Sequence, residues 1–308
     1  MRDSDTLDSD EIFLEAAPAV ILFFIDGIGI GEPGSSNPLS TLQNIEPLSV
    51  YKGGPSNVCL DGILVPTDPR LGVEGRPQSA SGQTTILTGI NAPSVLGYHK
   101  QGFPNEQLRK VIKDNSIFLQ LERLGIGPNV FVNAYTPQFF SGTPRWKSAT
   151  TCAVEASTVQ FRRLPDLLGR KAIFHDFTNR SLRSRGFDVP VFSPADAAEI
   201  LAEFPKTYRF ILYEHFITDK IGHDMDGERA RLHLPLLAEF IRETLKRLDL
   251  GNTTFILTSD HGNIEDLSVR NHTLNDVPTI IWGRNKEQIA EKIKDLSDIT
   301  PSILHLLT

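Results

Sequence analysis

Apolar positions along this 308-residue chain fall into short unbroken runs, separated by longer stretches with helical spacing. The clearest run is Ala19-Val-Ile-Leu-Phe-Phe-Ile25, which stops at Asp26-Gly27. A run with no polar face reads as a strand buried on both sides, as in a parallel sheet covered by helices. Similar runs recur at Val130 to Asn133, Arg209 to Tyr213, Thr254 to Leu257 and Val277 to Trp282.

Helical patterns separate them. Asn105 to Leu124 carries Leu108, Ile112, Leu119 and Leu121 to Leu124 on an apolar stripe and is stopped by Gly125 and Gly127. Pro194 to Phe204 reads as a helix capped by Ser193. Gly227 to Leu248 has helical spacing, with Pro235 expected to kink or break its first part. A last helix begins near Asp298, with Pro301 in its first turn. Strands alternating with helices predict an α/β fold: a three-layer, doubly wound, mostly parallel sheet over residues 19–308, after a flexible tail over 1–18. In such sheets ligands bind beyond the carboxyl ends of strands, where Asp26 and Asp260 sit. The interval of about 135–190 fits the alternation worst. It holds Pro137, Pro144, Pro165 and the basic residues Arg145, Lys147, Arg162, Arg163, Arg170, Arg180, Arg183 and Arg185, and reads as a small insertion or lid.

Composition narrows the function classes. Hydrophobic residues at 40% and charged residues at 22% describe a globular enzyme rather than a disordered chain. The net charge of −7 argues against nucleic acid as a partner. It is compatible with a small anionic substrate, because bound divalent cations invert the local sign. Cys59 and Cys152 form no CxxC pair, so neither a disulfide framework nor a thiolate zinc site is indicated. The acidic opening lacks the basic and apolar regions of a signal peptide, and no apolar run approaches the ~20 residues that span a bilayer. The expectation is a cytoplasmic protein without a membrane partner.

Four segments carry candidate chemistry. Asp26 ends the first strand and precedes Gly27, Gly29 and Gly31, without the GxGxxG spacing of a dinucleotide loop. Asp219 and His223 share one face of a helical turn, as metal ligands or as an ordinary surface ion pair. Asp260-His261 delivers adjacent carboxylate and imidazole to a strand end, and His272 follows in a second polar segment. Three aspartates and three histidines form a mixed N/O set suited to Zn²⁺, Mn²⁺ or, less well, Mg²⁺. Their number exceeds one tetrahedral site and suits two metals roughly 3.5–4 Å apart, the spacing used for displacement at phosphorus. Ser79 opens the stretch to Gly89, which reads as a helix start. A hydroxyl there is either a nucleophile activated by cations and helix N–H groups or a plain N-cap, a role Ser81 could share.

Together these segments resemble the metalloenzyme domain of the alkaline phosphatase superfamily, and within it cofactor-independent phosphoglycerate mutase, with phosphopentomutase next. Thr258-x-Asp260-His261-Gly262-Asn263-x-Glu265 is similar to that mutase's T-x-D-H-G-N-x-E, and Asn271-His272-Thr273-x-Asn275-x-Val277-Pro278 to its second histidine segment. Asp219-x-x-Gly222-His223 resembles its D-x-x-G-H element, and Ser79-x-x-Gly82 the segment whose serine is phosphorylated. The resemblance implies one metal on Asp219, His223 and His272, a second on Asp26, Asp260, His261 and the Ser79 oxygen, and Ser79 as nucleophile. It also implies a small phosphorylated metabolite as substrate. Two departures alter that expectation. Gln83 stands where the mutase has a histidine, and the chain is shorter than a typical bacterial mutase with its arginine-bearing cap. Gln83, Arg145, Arg162 and Arg163 are the substrate-binding candidates that remain. Hydrolysis is therefore expected over isomerisation, with a phosphomutase and a non-catalytic metal-binding module as the alternatives.

Overall fold

All five apolar runs become strands in the computed structural model, which describes residues 17–55, 58–142 and 146–308. The strands are β1 (Ala19–Ile25), β2 (Ile63–Thr67), β3 (Asn129–Phe131), β4 (Ala134–Tyr135), β5 (Arg162–Arg163), β6 (Phe210–His215), β7 (Thr253–Thr258) and β8 (Val277–Gly283). Six of them form one sheet in the order β2-β8-β7-β1-β6-β3, and β4 pairs with β5. β1 is parallel to β6 and β7, and β3 is parallel to β6. β8 is antiparallel to both β7 and β2, so it alone runs against the other five. The sheet is mostly parallel and three-layered, as the alternation predicts.

β1 is wholly buried because both sheet faces are covered. Its Ile21, Phe23 and Ile25 pack on one side among residues of the Pro194–Glu203 and Gly227–Arg247 helices. Val20, Leu22 and Phe24 pack on the other, among residues of the Glu106–Asn115, Ile117–Arg123, Ala149–Glu155 and Ile299–Leu307 helices. Phe23 sits at the centre of a ring cluster, with Tyr213, Phe240 and Phe255 at centroid distances of 4.9, 5.4 and 5.6 Å.

Several local expectations change. The helix expected over 105–124 breaks at Ser116, which is extended at ψ 137° and whose hydroxyl donates to the Ala153 carbonyl at 2.7 Å. The Gly227–Arg247 helix instead continues through Pro235, held by its buried Leu234, Leu237 and Ala238. β2 escapes the sequence pattern because it is an edge strand, mostly half-buried and carrying Pro66. The interval 135–190 is not uniform. Its Ala149–Glu155 helix belongs to the main core, while Leu167, Ala172, Phe174, Leu182 and Val189 form a satellite cluster with Ala134. The tail expected over 1–18 lies outside the described residues apart from Ala17 and Pro18. Among the described residues no helix is long and apolar enough to cross a membrane.

Phe23→Ala should cost about 3–5 kcal/mol of unfolding free energy, read from urea denaturation. A loss below about 1 kcal/mol contradicts the placement of this ring cluster at the core centre.

Candidate active site

The carboxyl edge of the sheet gathers the candidate ligands. Asp26 follows β1, Asp219 lies in the helix Ile217–Asp224 after β6, and Asp260-His261 follows β7. β8 runs the opposite way, so His272, which precedes it, arrives at the same edge. β2 also ends there, and the chain then leads to the helix Ser79–Thr88.

Glycines let these segments meet. Gly27 adopts φ +77°, and a Cβ on it would stand 2.8 Å from the Asp219 backbone. A Cβ on Gly82 would lie 2.9 Å from Asp260 Cβ, so the Ser79 helix can touch the β7 loop only without a side chain there.

Two donor sets result. In the first, His223 Nε2 lies 3.4 Å from Asp219 Oδ2, and His272 Nε2 lies 3.6 Å from Asp219 Oδ1 and 3.1 Å from His223 Nε2. In the second, His261 Nε2 lies 2.9 Å from Ser79 Oγ, 3.3 Å from Asp26 Oδ1 and 3.5 Å from Asp260 Oδ2. Ligand atoms about 2.0–2.2 Å from one tetrahedral ion stand roughly 3.3–3.6 Å apart. Both sets therefore have nearly the spacing of a coordination shell. Asp219 also falls in one compact three-donor group with Asp26 and His261, so it stands between the two sets.

Hydrogen bonding points the same way. His223 Nδ1 donates to the Arg270 carbonyl at 2.8 Å, and His272 Nδ1 to the Pro77 carbonyl at 2.9 Å. A carbonyl only accepts, so each ring keeps a lone pair on Nε2, directed at the other ring. Two such lone pairs repel unless a proton or a cation lies between them. Asp26 Oδ1, Asp260 Oδ1 and His261 Nδ1 are buried without any hydrogen-bond partner among the described residues. Buried carboxylate oxygens without partners, with Asp26 Oδ1 3.3 Å from His261 Nε2, fit a divalent cation better than they fit an empty polar core.

Electrostatics follow from this crowding. Burial first, then the charges of Asp260 and Asp219, pushes Asp26 well above the usual carboxylate range. Burial followed by Asp219 lifts Asp260 to about 7. Burial also pushes Asp219 upward, but a hydrogen bond from His223 when that ring is protonated and one from Asn263 outweigh it and hold Asp219 low. His261 and His272 fall to about 4, chiefly through burial, and stay neutral as ligands must be.

Supporting groups complete the site. The Gln83 amide donates to Asp26 Oδ2 and Asp260 Oδ2, both at 3.1 Å, so its N–H groups are committed to two carboxylates rather than free for substrate. Asn263 donates to Asp219 Oδ1 at 2.7 Å. Glu265 accepts from the Gly29 and Asn263 N–H groups at 2.9 and 2.7 Å, from Asn275 at 3.1 Å and from the Thr273 hydroxyl, tying three ligand loops together. The positioning roles of Asn263 and Glu265 went unread in the sequence, although both lie within the Asp260 motif.

The two serines separate cleanly. Ser79 is the first residue of its helix, with Gln78 at the cap, and its hydroxyl makes no capping bond. Ser81 is buried, donating to the Gln78 carbonyl at 3.1 Å and accepting from the Lys100 N–H at 3.1 Å. Ser79, Asp26 and Asp219 open onto a cavity of ≈ 510 Å³ whose cationic wall residues are Arg185 and Lys220. Arg162 and Arg163 are elsewhere. Arg162 donates to the Tyr208 hydroxyl at 2.6 Å, and the Arg163 guanidinium lies 4.1 Å from the Phe140 ring, so both serve packing away from Ser79. Arg145 lies outside the described residues.

Comparison with known proteins agrees with this geometry. A family model described as the metalloenzyme superfamily matches residues 140–308. The 2,3-bisphosphoglycerate-independent phosphoglycerate mutase of Ehrlichia canis (strain Jake) is 32% identical over 107 residues, which is 32% of this chain and 21% of the relative. That of Methanococcus vannielii is 29% identical over 89 residues, again 21% of its length. The matches thus cover about a fifth of these relatives. An alkaline phosphatase from the Antarctic bacterium TAB5 superposes with TM-score 0.51 at 14% identity, covering 94% of this chain and 98% of that one. A cold-active alkaline phosphatase from Shewanella sp. superposes at 0.55 and 11% identity, covering 94% and 100%. At such identities the structural likeness speaks to fold.

A carboxyl whose folded pKa is raised loses stability as pH climbs past its ordinary value, and the full cost is present above the raised one. At pH 8, chelator-treated Asp260→Asn should therefore melt about 2–4 °C above wild type, because one buried charge is gone. Added Mn²⁺ should raise the wild-type melting temperature more than the variant's. A wild-type melting temperature indifferent to Mn²⁺, Zn²⁺ and Mg²⁺ contradicts the cation reading.

Proposed function

Because this chain belongs to the metalloenzyme superfamily and folds as an alkaline phosphatase-like domain resembling cofactor-independent phosphoglycerate mutase, we propose that it is a two-metal phosphoryl-transfer enzyme that hydrolyses a small phosphate ester through Ser79. The observation that carries this reading is the Ser79 hydroxyl, free of any cap and 2.9 Å from His261 Nε2, on the wall of the cavity.

Asp219, His223 and His272 would hold one cation, and Asp26, Asp260, His261 and the Ser79 oxygen the other. Such ions lower the pKa of a bound hydroxyl and neutralise the oxygens of a transferring phosphoryl group. The chain's own groups do the rest. Gln83 keeps the Asp26 and Asp260 carboxylates together, and Asn263 fixes Asp219. The first turn of the Ser79–Thr88 helix presents its positive dipole end to charge building on the phosphoryl oxygens. Lys220 and Arg185 on the cavity wall add cationic charge for the phosphate.

In the reaction the Ser79 oxygen loses its proton and bonds to phosphorus as the bond to the leaving alcohol oxygen breaks, and that proton leaves on the alcohol. Water then attacks the phosphoserine, the serine–phosphorus bond breaks, one water proton restores the Ser79 hydroxyl, and inorganic phosphate leaves. A phosphomutase would return the phosphoryl group to the substrate instead. That second reading draws on the mutase relatives, over a fifth of their length.

With Mn²⁺-loaded protein and 4-nitrophenyl phosphate, Ser79→Ala should lower kcat by more than about 10³-fold. Ser81→Ala should keep turnover, with a small loss of stability from its hydrogen bonds. If Ser79→Ala retains activity while Ser81→Ala loses it, the nucleophile is misassigned. Incubation with 3-phosphoglycerate should not yield 2-phosphoglycerate, and isomer without free phosphate overturns the hydrolase reading.

A further inference from the structure

The cavity beside Ser79 is unlike a pocket for a small polar phosphate. Phe131, Tyr135, Phe139, Phe174 and Phe216 contribute to its wall, and of its three carboxylates Glu214 is the one outside the candidate ligand sets. Tyr135 packs edge-on against Phe139 at 4.4 Å and against Phe131 at 6.1 Å. On another part of the wall the His175 ring lies between Phe174 and Phe216, at 4.1 and 3.9 Å. These rings come from separate stretches of chain yet converge on one space.

Set against the ring side of the wall, away from Asn133, Thr136, Ser148 and Thr151, each hydroxyl of a glycerate or glycerol moiety would lack a partner, at a cost of about 1–3 kcal/mol. A flat ring loses nothing there and gains from stacked and edge-on contacts. The polar capacity left in the wall is specific. Glu214 is buried and, among the described residues, its carboxylate accepts one long hydrogen bond, from Thr150 at 3.3 Å. That carboxylate is suited to a planar group bearing an N–H donor. The volume of ≈ 510 Å³ suits a ring system with a linker to the phosphate rather than a three-carbon ester.

We infer that the substrate is a phosphate monoester carrying a heteroaromatic ring, a nucleoside monophosphate in size and shape, with the ring held by these aromatic side chains and an N–H of it donated to Glu214. The orientation of the phosphate toward Ser79, Lys220 and Arg185 rests on the phosphoryl-transfer reading above.

Adenosine 5′-monophosphate, ribose 5-phosphate and glycerol 3-phosphate share a primary alcohol leaving group, so their intrinsic reactivity is similar and the base is the variable. For Mn²⁺-loaded protein, kcat/KM for the nucleotide should exceed that for ribose 5-phosphate by at least about tenfold. Phe139→Ala, checked for an intact fold by its melting curve, should shrink that ratio. Equal kcat/KM for the nucleotide and ribose 5-phosphate, or preference for glycerol 3-phosphate, overturns the inference. A separate readout uses chelator-treated protein titrated calorimetrically with adenosine and with ribose. Adenosine alone should bind. If none of the esters releases phosphate but adenosine binds, the phosphoryl-transfer reading fails and the ring site stands; if phosphate is released but adenosine does not bind, the reverse holds.

Discussion

Three carboxylates and three imidazoles packed against one another, all but Asp219 and His223 buried, set the terms for the rest of this molecule. Burying a charge costs several kcal/mol even after relaxation, and like charges compound the cost. The raised pKa values of Asp26 and Asp260 and their partnerless Oδ1 atoms express that cost directly. The surrounding structure holds the groups in place against it. Gln83 clamps two of the carboxylates, Asn263 the third, and Glu265 ties the loops that carry them. Two hydrophobic layers, one on each face of the sheet, supply the stability that keeps such an arrangement intact.

Topology decides which residues reach the cluster. Parallel strands β1, β6 and β7 deliver their following residues to one edge, and the reversal of β8 brings His272 to that same edge from the other direction. The mixed sheet is therefore a requirement of the ligand set. Had β8 run parallel to β7, His272 would sit at the opposite end of the sheet. Close approach of the segments then depends on missing side chains, at Gly27 against Asp219 and at Gly82 against Asp260.

Much of this was legible in the chain. Buried strands announce themselves because both faces are covered, and the spacing of Asp219 with His223 and of Asp260 with His261 brings side chains together locally, whatever the rest of the fold does. Long-range features were not. β2 hid behind Pro66 and a half-buried edge. Ser79 and Ser81 were indistinguishable until the helix start fixed which one faced the cavity. Arg162 and Arg163 resembled a substrate-binding run, but charge density carries no direction, and tertiary packing turned them to Tyr208 and Phe140. The aromatic wall was invisible because Phe131, Tyr135, Phe139, Phe174 and Phe216 share no period or motif and meet only in the folded chain.

In the proposed reaction, cations would link the crowded acidic edge to Ser79, so their number is the most direct check. Protein stripped by chelator, re-equilibrated with Mn²⁺ and freed of excess metal should contain two ions per chain by elemental analysis. His223→Ala, which removes a ligand from one set only, should contain about one, the other set being independent of it. A wild-type content of one ion, or none above background, contradicts the two-cation account.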